Sequence, residues 1–184
     1  MTLLIPHLWI YFCICLADVL VTQRIMAAQG KHFFYFDGAR KPFNMLNLEF
    51  PKDLEYFYTV LSDIGKLEPA DAAIVRKNVR AQLWTDFVFM PGTYLGVFLV
   101  CMAVAESSVG TLNQLFAVLA WSQLACWLLD ITENCYLFSQ LRQPKRPSAF
   151  GFACYRVLEL LKWLPSAGGF IAALIVLLIQ YFHH

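Results

Sequence analysis

The sequence predicts an all-α fold: an integral membrane four-helix bundle with an ordered loop and a short amphipathic helix between spans one and two. Of the 184 residues, 59% are hydrophobic and only 15% are charged, and the mean hydropathy is +0.56. Soluble globular chains carry about a quarter charged residues, so this composition belongs in lipid. Apolar runs cover about residues 3–22, 83–105, 112–138 and 160–182. Each is near the ~20 residues that cross a ~30 Å hydrocarbon core. The expectation is one membrane domain over residues 1–184, with residues 23–80 forming an interfacial loop and helix.

The first run begins MTLLIPHLWIYF, without Lys or Arg, and is expected to remain as a helix rather than act as a secretory signal. Pro6 falls in its first turns, where proline costs little. In the long loop, Phe33–Phe36 forms either an interfacial aromatic cluster or a short strand, and Asp37-Gly38 and Lys41-Pro42 mark turns. Leu54, Phe57, Leu61 and Ile64 recur at helical spacing, with Asp53, Glu55 and Asp63 elsewhere and Gly65 ending the helix. This amphipathic segment is expected on the bundle or membrane surface. Pro69 then opens a helix that runs without interruption through Ile74, Val79 and Leu83 into span two. Pro91-Gly92 and Pro165 with Gly168-Gly169 mark kinks, or small-residue positions where helices approach closely.

The basic residues segregate. Nine of the 14 lie between spans one and two, five between Arg142 and Lys162, and none in the Glu106–Gly110 turn or at the termini. By the positive-inside rule, the two basic loops are expected in the cytoplasm and both termini outside, in the bilayer of the cell membrane. A net charge of +1 points to no polyanion, so no nucleic-acid partner is expected. Cys13, Cys15, Cys101, Cys126, Cys135 and Cys154 lie in or beside apolar stretches without a CxxC and are expected as free thiols. Cys13 and Cys15 project about 200° apart on a helix, too far for a chelate or disulfide. No phosphate-cradling glycine loop, HExxH or nucleophile motif is present, and Ser122 and Ser139 have no base visible in sequence. No catalytic residue is assigned and no cofactor is indicated.

The spans nevertheless contain residues that lipid penalises unless they face protein. Asp18 lies six residues before Arg24 and Asp86 six after Arg80, each about 9 Å inside a basic boundary. Span three brings Asp130, Glu133 and Asn134 toward the same side, and span four brings Arg156, Glu159 and Lys162. Asp130, Glu133 and Asn134 stand at i, i+3 and i+4 on one helical face, and Glu159 with Lys162 is another i, i+3 pair. Five carboxylates against Arg156 and Lys162 require protonation, hydration, or a bound cation or cationic ligand.

Two readings follow. The network fixes the helices in register, or it holds a cation, proton or lipid headgroup. If a metal binds, Asp86, Asp130 and Glu133 supply oxygen ligands, which favours Ca²⁺, Mg²⁺ or Mn²⁺ over Zn²⁺. Readings from other classes are a noncatalytic subunit of a larger membrane assembly, a homo-oligomer, or a lipid-modifying enzyme using paired carboxylates beside an aromatic cavity.

The stretches Trp84-Thr-Asp86-Phe-Val-Phe-Met-Pro91-Gly-Thr-Tyr94, Asp130-Ile-Thr-Glu133-Asn134 and Lys162-Trp163 resemble those of small, uncharacterised bacterial four-span membrane proteins. The first loop is similar too, with Met45-Leu-Asn-Leu-Glu-Phe50 followed by a helix from Leu54 to Gly65. The resemblance implies that Asp86 and the Asp-x-x-Glu-Asn positions belong to one shared site. It carries no activity.

Overall fold

The computed structural model describes residues 7–183; Pro6 and the start of the first apolar run lie outside them. The elements are α1 (Leu8–Gly30), β1 (Phe34–Phe36), β2 (Arg40–Pro42), α2 (Leu46–Glu49), α3 (Leu54–Asp63), α4 (Pro69–Ser107), α5 (Thr111–Arg142) and α6 (Ala149–His183). The architecture is all-α, with the four long helices packed against one another as a bundle. α1, α4, α5 and α6 are long and apolar enough to cross a membrane, the pattern of a multi-pass membrane protein. Even the 23 residues of α1 extend about 35 Å, more than the hydrocarbon core. Trp9, Ile10, Ile14 and Leu20 on α1 are exposed, as are Trp121, Leu128, Leu164 and Ile175 on α5 and α6. Such apolar surface suits lipid rather than water.

The helices continue past the apolar runs at their basic ends. α1 carries on through Arg24 to Gly30, α5 reaches Arg142, and α6 starts at Ala149, ahead of the run at 160. α4 includes the whole stretch from Pro69, as the proline at its start leads one to expect.

Two compact units can be distinguished. The first comprises the described residues up to Val21, Val88–Asp130 and those from Leu160 onward. Its core joins Val97, Val100, Cys101 and Val104 of α4 to Phe116 and Ala120 of α5 and Ala173 of α6. Small side chains let these helices approach closely. Pro165 has no N–H for the carbonyl of Leu161 one turn back, and the Cys126 thiol of α5 lies 3.7 Å from that oxygen as a donor. Gln123 Nε2 donates to Leu119 O at 3.0 Å and to Pro165 O at 3.4 Å. A proline in a lipid-spanning helix is tolerated when neighbouring helices satisfy the freed backbone in this way.

The second unit comprises Thr22–Phe87 and Ile131–Glu159. Here the long loop is a folded structure with its own core. Phe33–Phe36 takes the short-strand alternative: Phe34 pairs with Pro42 and Phe36 with Arg40 in an antiparallel hairpin. Gly38 turns the hairpin at φ +69°, in the left-handed region. Lys41 Nζ donates to Asp37 Oδ2 at 2.5 Å, which holds the Asp37 carboxyl below its ordinary range and raises the Lys41 ammonium. At the start of α3, the Asp53 carboxylate accepts from Tyr56 N at 2.7 Å, a side-chain N-cap.

The face of α3 follows the sequence spacing closely: Phe57, Leu61 and Ile64 are buried, and Glu55 is exposed. Asp63, expected off that face, is buried, and it accepts from Lys66 at 2.8 Å and Ser62 at 3.0 Å. The buried residues of the loop pack with Val75, Val79 and Leu83 of α4, Leu137 and Leu141 of α5, and Tyr155 of α6. The amphipathic helix therefore lies on the bundle. The apolar area it removes from water, at about 25 cal/mol per Å², is what ties the loop down.

Candidate functional site

α5 places Asp130, Glu133 and Asn134 on one face, and all three are buried; so are Glu159 and Lys162 on α6. Helical spacing thus forecast the shared faces correctly. Arg156 follows Tyr155 on α6 and is exposed, because a step of one residue rotates the helix by about 100°.

In the first unit, Lys162 Nζ donates to Asp130 Oδ1 at 3.0 Å, and the Tyr94 hydroxyl donates to Asp130 Oδ2 at 2.9 Å. Both carboxylate oxygens are therefore engaged, by side chains from α4 and α6. The Lys162 and Asp130 side chains are 5% and 11% exposed, a setting in which charge-assisted bonds are strong and an unpaired charge is costly.

Asp18 of α1 is half-buried, against Gly92 of α4. A Cβ at Gly92 would run into the Asp18 carboxylate and meet Cys15 O at 3.0 Å, whereas a Cβ at Gly96 meets only Cys15 Cβ, at 3.4 Å. Gly92→Ala should therefore cost about 1–3 kcal/mol by overpacking, and Gly96→Ala clearly less. Thermal unfolding in detergent compares the two, and equal effects would contradict this account of the α1–α4 approach.

In the second unit, Asn134 Nδ2 donates to Asp86 Oδ2 at 2.7 Å, joining α5 to α4. The three carboxylates that come together are Glu49, Glu133 and Glu159, from α2, α5 and α6, with one oxygen of each within 4.8 Å of the others. Of the set Asp86, Asp130 and Glu133 taken from sequence as possible metal ligands, only Glu133 belongs to this group. Asp86 is bonded to Asn134, and Asp130 to Lys162 and Tyr94. Glu133 and Glu159 are each 1% exposed.

The Tyr155 hydroxyl lies 3.0 Å from Leu48 O and 3.3 Å from Glu133 Oε1. A phenol has one proton and a peptide carbonyl only accepts. The single phenolic proton therefore serves two acceptors, Leu48 O and Glu133 Oε1. The cluster thus sets three carboxylates beside a hydroxyl that has a single proton. A hard cation would find three carboxylate ligands here, the oxygen-only set that suits Mg²⁺, Ca²⁺ or Mn²⁺.

Glu49 reaches this position through local geometry. Asn44 N donates to Asn47 Oδ1 at 2.9 Å, and Asn47 N to Asn44 Oδ1 at 3.0 Å. This reciprocal pair resembles a capping box and sets the single turn of α2 that follows. Leu48 is buried beside it.

Sequence reasoning missed Glu49, which sits in a loop far from the spans, and the hydroxyls of Tyr94 and Tyr155. A signal existed for Tyr155: it precedes Glu159 by four residues and so shares its helical face. No family model, curated protein or solved structure matches the chain.

Proposed function

We propose that the chain is a membrane-embedded binding bundle with its basic loops in the cytoplasm and both termini outside. In it, the Glu49, Glu133 and Glu159 cluster takes up positive charge, as protons or as one hard divalent cation. The Asp86–Asn134 contact holds α4 and α5 in register within the same unit, and the Asp130–Lys162–Tyr94 contacts do so for α4, α5 and α6 in the other.

The observation that supports this reading is the crowding of three carboxylates within 4.8 Å, next to a tyrosine with one proton for two acceptors. At an effective dielectric of ~20, two full charges at that separation repel by about 3 kcal/mol. Three such pairs favour uptake of a proton or cation over full ionisation.

The test is thermal unfolding of the purified protein in detergent, with Mn²⁺ titrated at pH 8 and pH 5, for wild type, Glu133→Gln and Glu49→Gln. Mn²⁺ should raise the wild-type midpoint at pH 8 and do so less at pH 5, where protons compete for the same oxygens. Both variants should lose most of the Mn²⁺ response. A pH response in wild type that the variants lack, with no response to Mn²⁺, Mg²⁺ or Ca²⁺, assigns the charge to protons. A wild-type midpoint indifferent to all three metals and to pH between 5 and 8 overturns the proposal.

A further inference from the structure

A second chemistry lies in the same unit, away from the carboxylates. One groove, about 670 Å³ in volume, is lined by Arg80 of α4, Phe138 and Arg142 of α5, and Lys145 in the turn that follows. A neighbouring groove of about 780 Å³ shares Arg80, adds Arg76 and Lys77, and reaches Trp84. No acidic side chain lines either one.

Four other basic residues outside the apolar runs are engaged in ion pairs. Arg40 pairs with Asp71, Lys41 with Asp37, Lys66 with Asp63, and Arg146 with Glu55. Among the described residues, Arg80, Arg142 and Lys145 make no ion pair, and all three are exposed.

The position of these residues on the helix matters as much as their charge. Arg80 comes just before the apolar run that starts at residue 83, and Trp84 lies one turn further along the same face. Trp84 is 65% exposed, with its ring 5.4 Å from Phe138 and 5.6 Å from Phe87. A basic residue followed by an exposed indole at the edge of a span is the chemical profile of the headgroup layer. Two guanidinium groups offer forked donors to phosphate oxygens, and the ammonium adds a third charge.

We infer that the Arg80–Arg142–Lys145 groove binds the phosphate of an anionic phospholipid, whose glycerol and upper chains lie along Trp84 and Phe138. The site uses none of the carboxylates of the proposed binding cluster. Loss of one function therefore leaves the other open to measurement.

Native mass spectrometry of the detergent-purified protein tests this, with phosphatidylglycerol or phosphatidylcholine of matched chains added. Wild type should retain phosphatidylglycerol about tenfold more than phosphatidylcholine. Arg80→Gln/Arg142→Gln should abolish the preference, while Arg80→Lys/Arg142→Lys keeps most of it. A charge-matched control, Lys31→Gln/Lys52→Gln, should behave as wild type, and equal unfolding midpoints in phosphatidylcholine show that the variants fold. The inference is overturned by equal retention of the two lipids in wild type. It is overturned equally by a preference that survives Arg80→Gln/Arg142→Gln or falls to the same extent in the control. Complete displacement of phosphatidylglycerol by millimolar inorganic phosphate would assign the groove to the free anion instead, which also overturns it.

Discussion

Lys162→Met should destabilise the protein by about 3–5 kcal/mol, because it strands a buried carboxylate. The Lys162 ammonium sits 3.0 Å from Asp130 Oδ1, with both side chains almost fully shielded. Removing it leaves Asp130 with the Tyr94 hydroxyl as its remaining described hydrogen bond, and one neutral donor does not offset the desolvation of a full charge. The double variant Asp130→Asn/Lys162→Met removes both charges while keeping a partner for Tyr94. It should recover most of the loss, since replacing a buried ion pair outright is far less costly than breaking it. Unfolding free energies for wild type, both singles and the double form a cycle whose interaction energy isolates the pair. If the double is as unstable as Lys162→Met, the cost comes from packing of the lysine stem and not from its charge.

Phe57→Ala should cost about 3–5 kcal/mol through loss of a large buried ring and the cavity left behind. Phe57 is 1% exposed. Its ring stacks on Tyr136 at 6.2 Å, with Tyr155 at 5.4 Å and Phe152 at 6.5 Å, so one side chain of α3 anchors the loop to both α5 and α6. The second consequence concerns the cluster: Tyr155 packs on Phe57 and bonds to Leu48 O and Glu133. Loosening the ring should therefore free α2 and with it Glu49. Limited trypsin digestion should cut Phe57→Ala within the first loop, at Lys52 or Lys66, much faster than wild type. Leu54→Ala, at a half-buried position on the same helix, should lose clearly less stability. A Phe57→Ala protein that resists trypsin and retains its midpoint would show that the loop is held by other contacts.

Much of the candidate site was legible through helical period. The i, i+3, i+4 spacing of Asp130, Glu133 and Asn134 and the i, i+3 spacing of Glu159 and Lys162 placed those side chains on buried faces, where they are found. The pairings were not legible. Five carboxylates converging from four helices read as one layer, whereas the structure assigns Asp130 to Lys162 and Tyr94, Asp86 to Asn134, and Glu133 and Glu159 to Glu49. Helical period states which way a residue points on its own helix, but it does not give the rotation of one helix against the next, and that rotation selects the partner.

The sequence by itself determined the four long apolar helices, the amphipathic face of α3, the uninterrupted entry from Pro69 into span two, and the inward faces of α5 and α6. Each of these depends on local composition or on a short repeat along one element. Tertiary structure alone decided that the loop's hairpin and helices pack into a shared aromatic core, and that its Glu49 joins carboxylates more than 80 residues away in sequence. It alone decided, too, that Arg80, Arg142 and Lys145 line one groove. Such contacts depend on burial across distant segments, where the free energy comes from surfaces meeting rather than from any pattern within one of them.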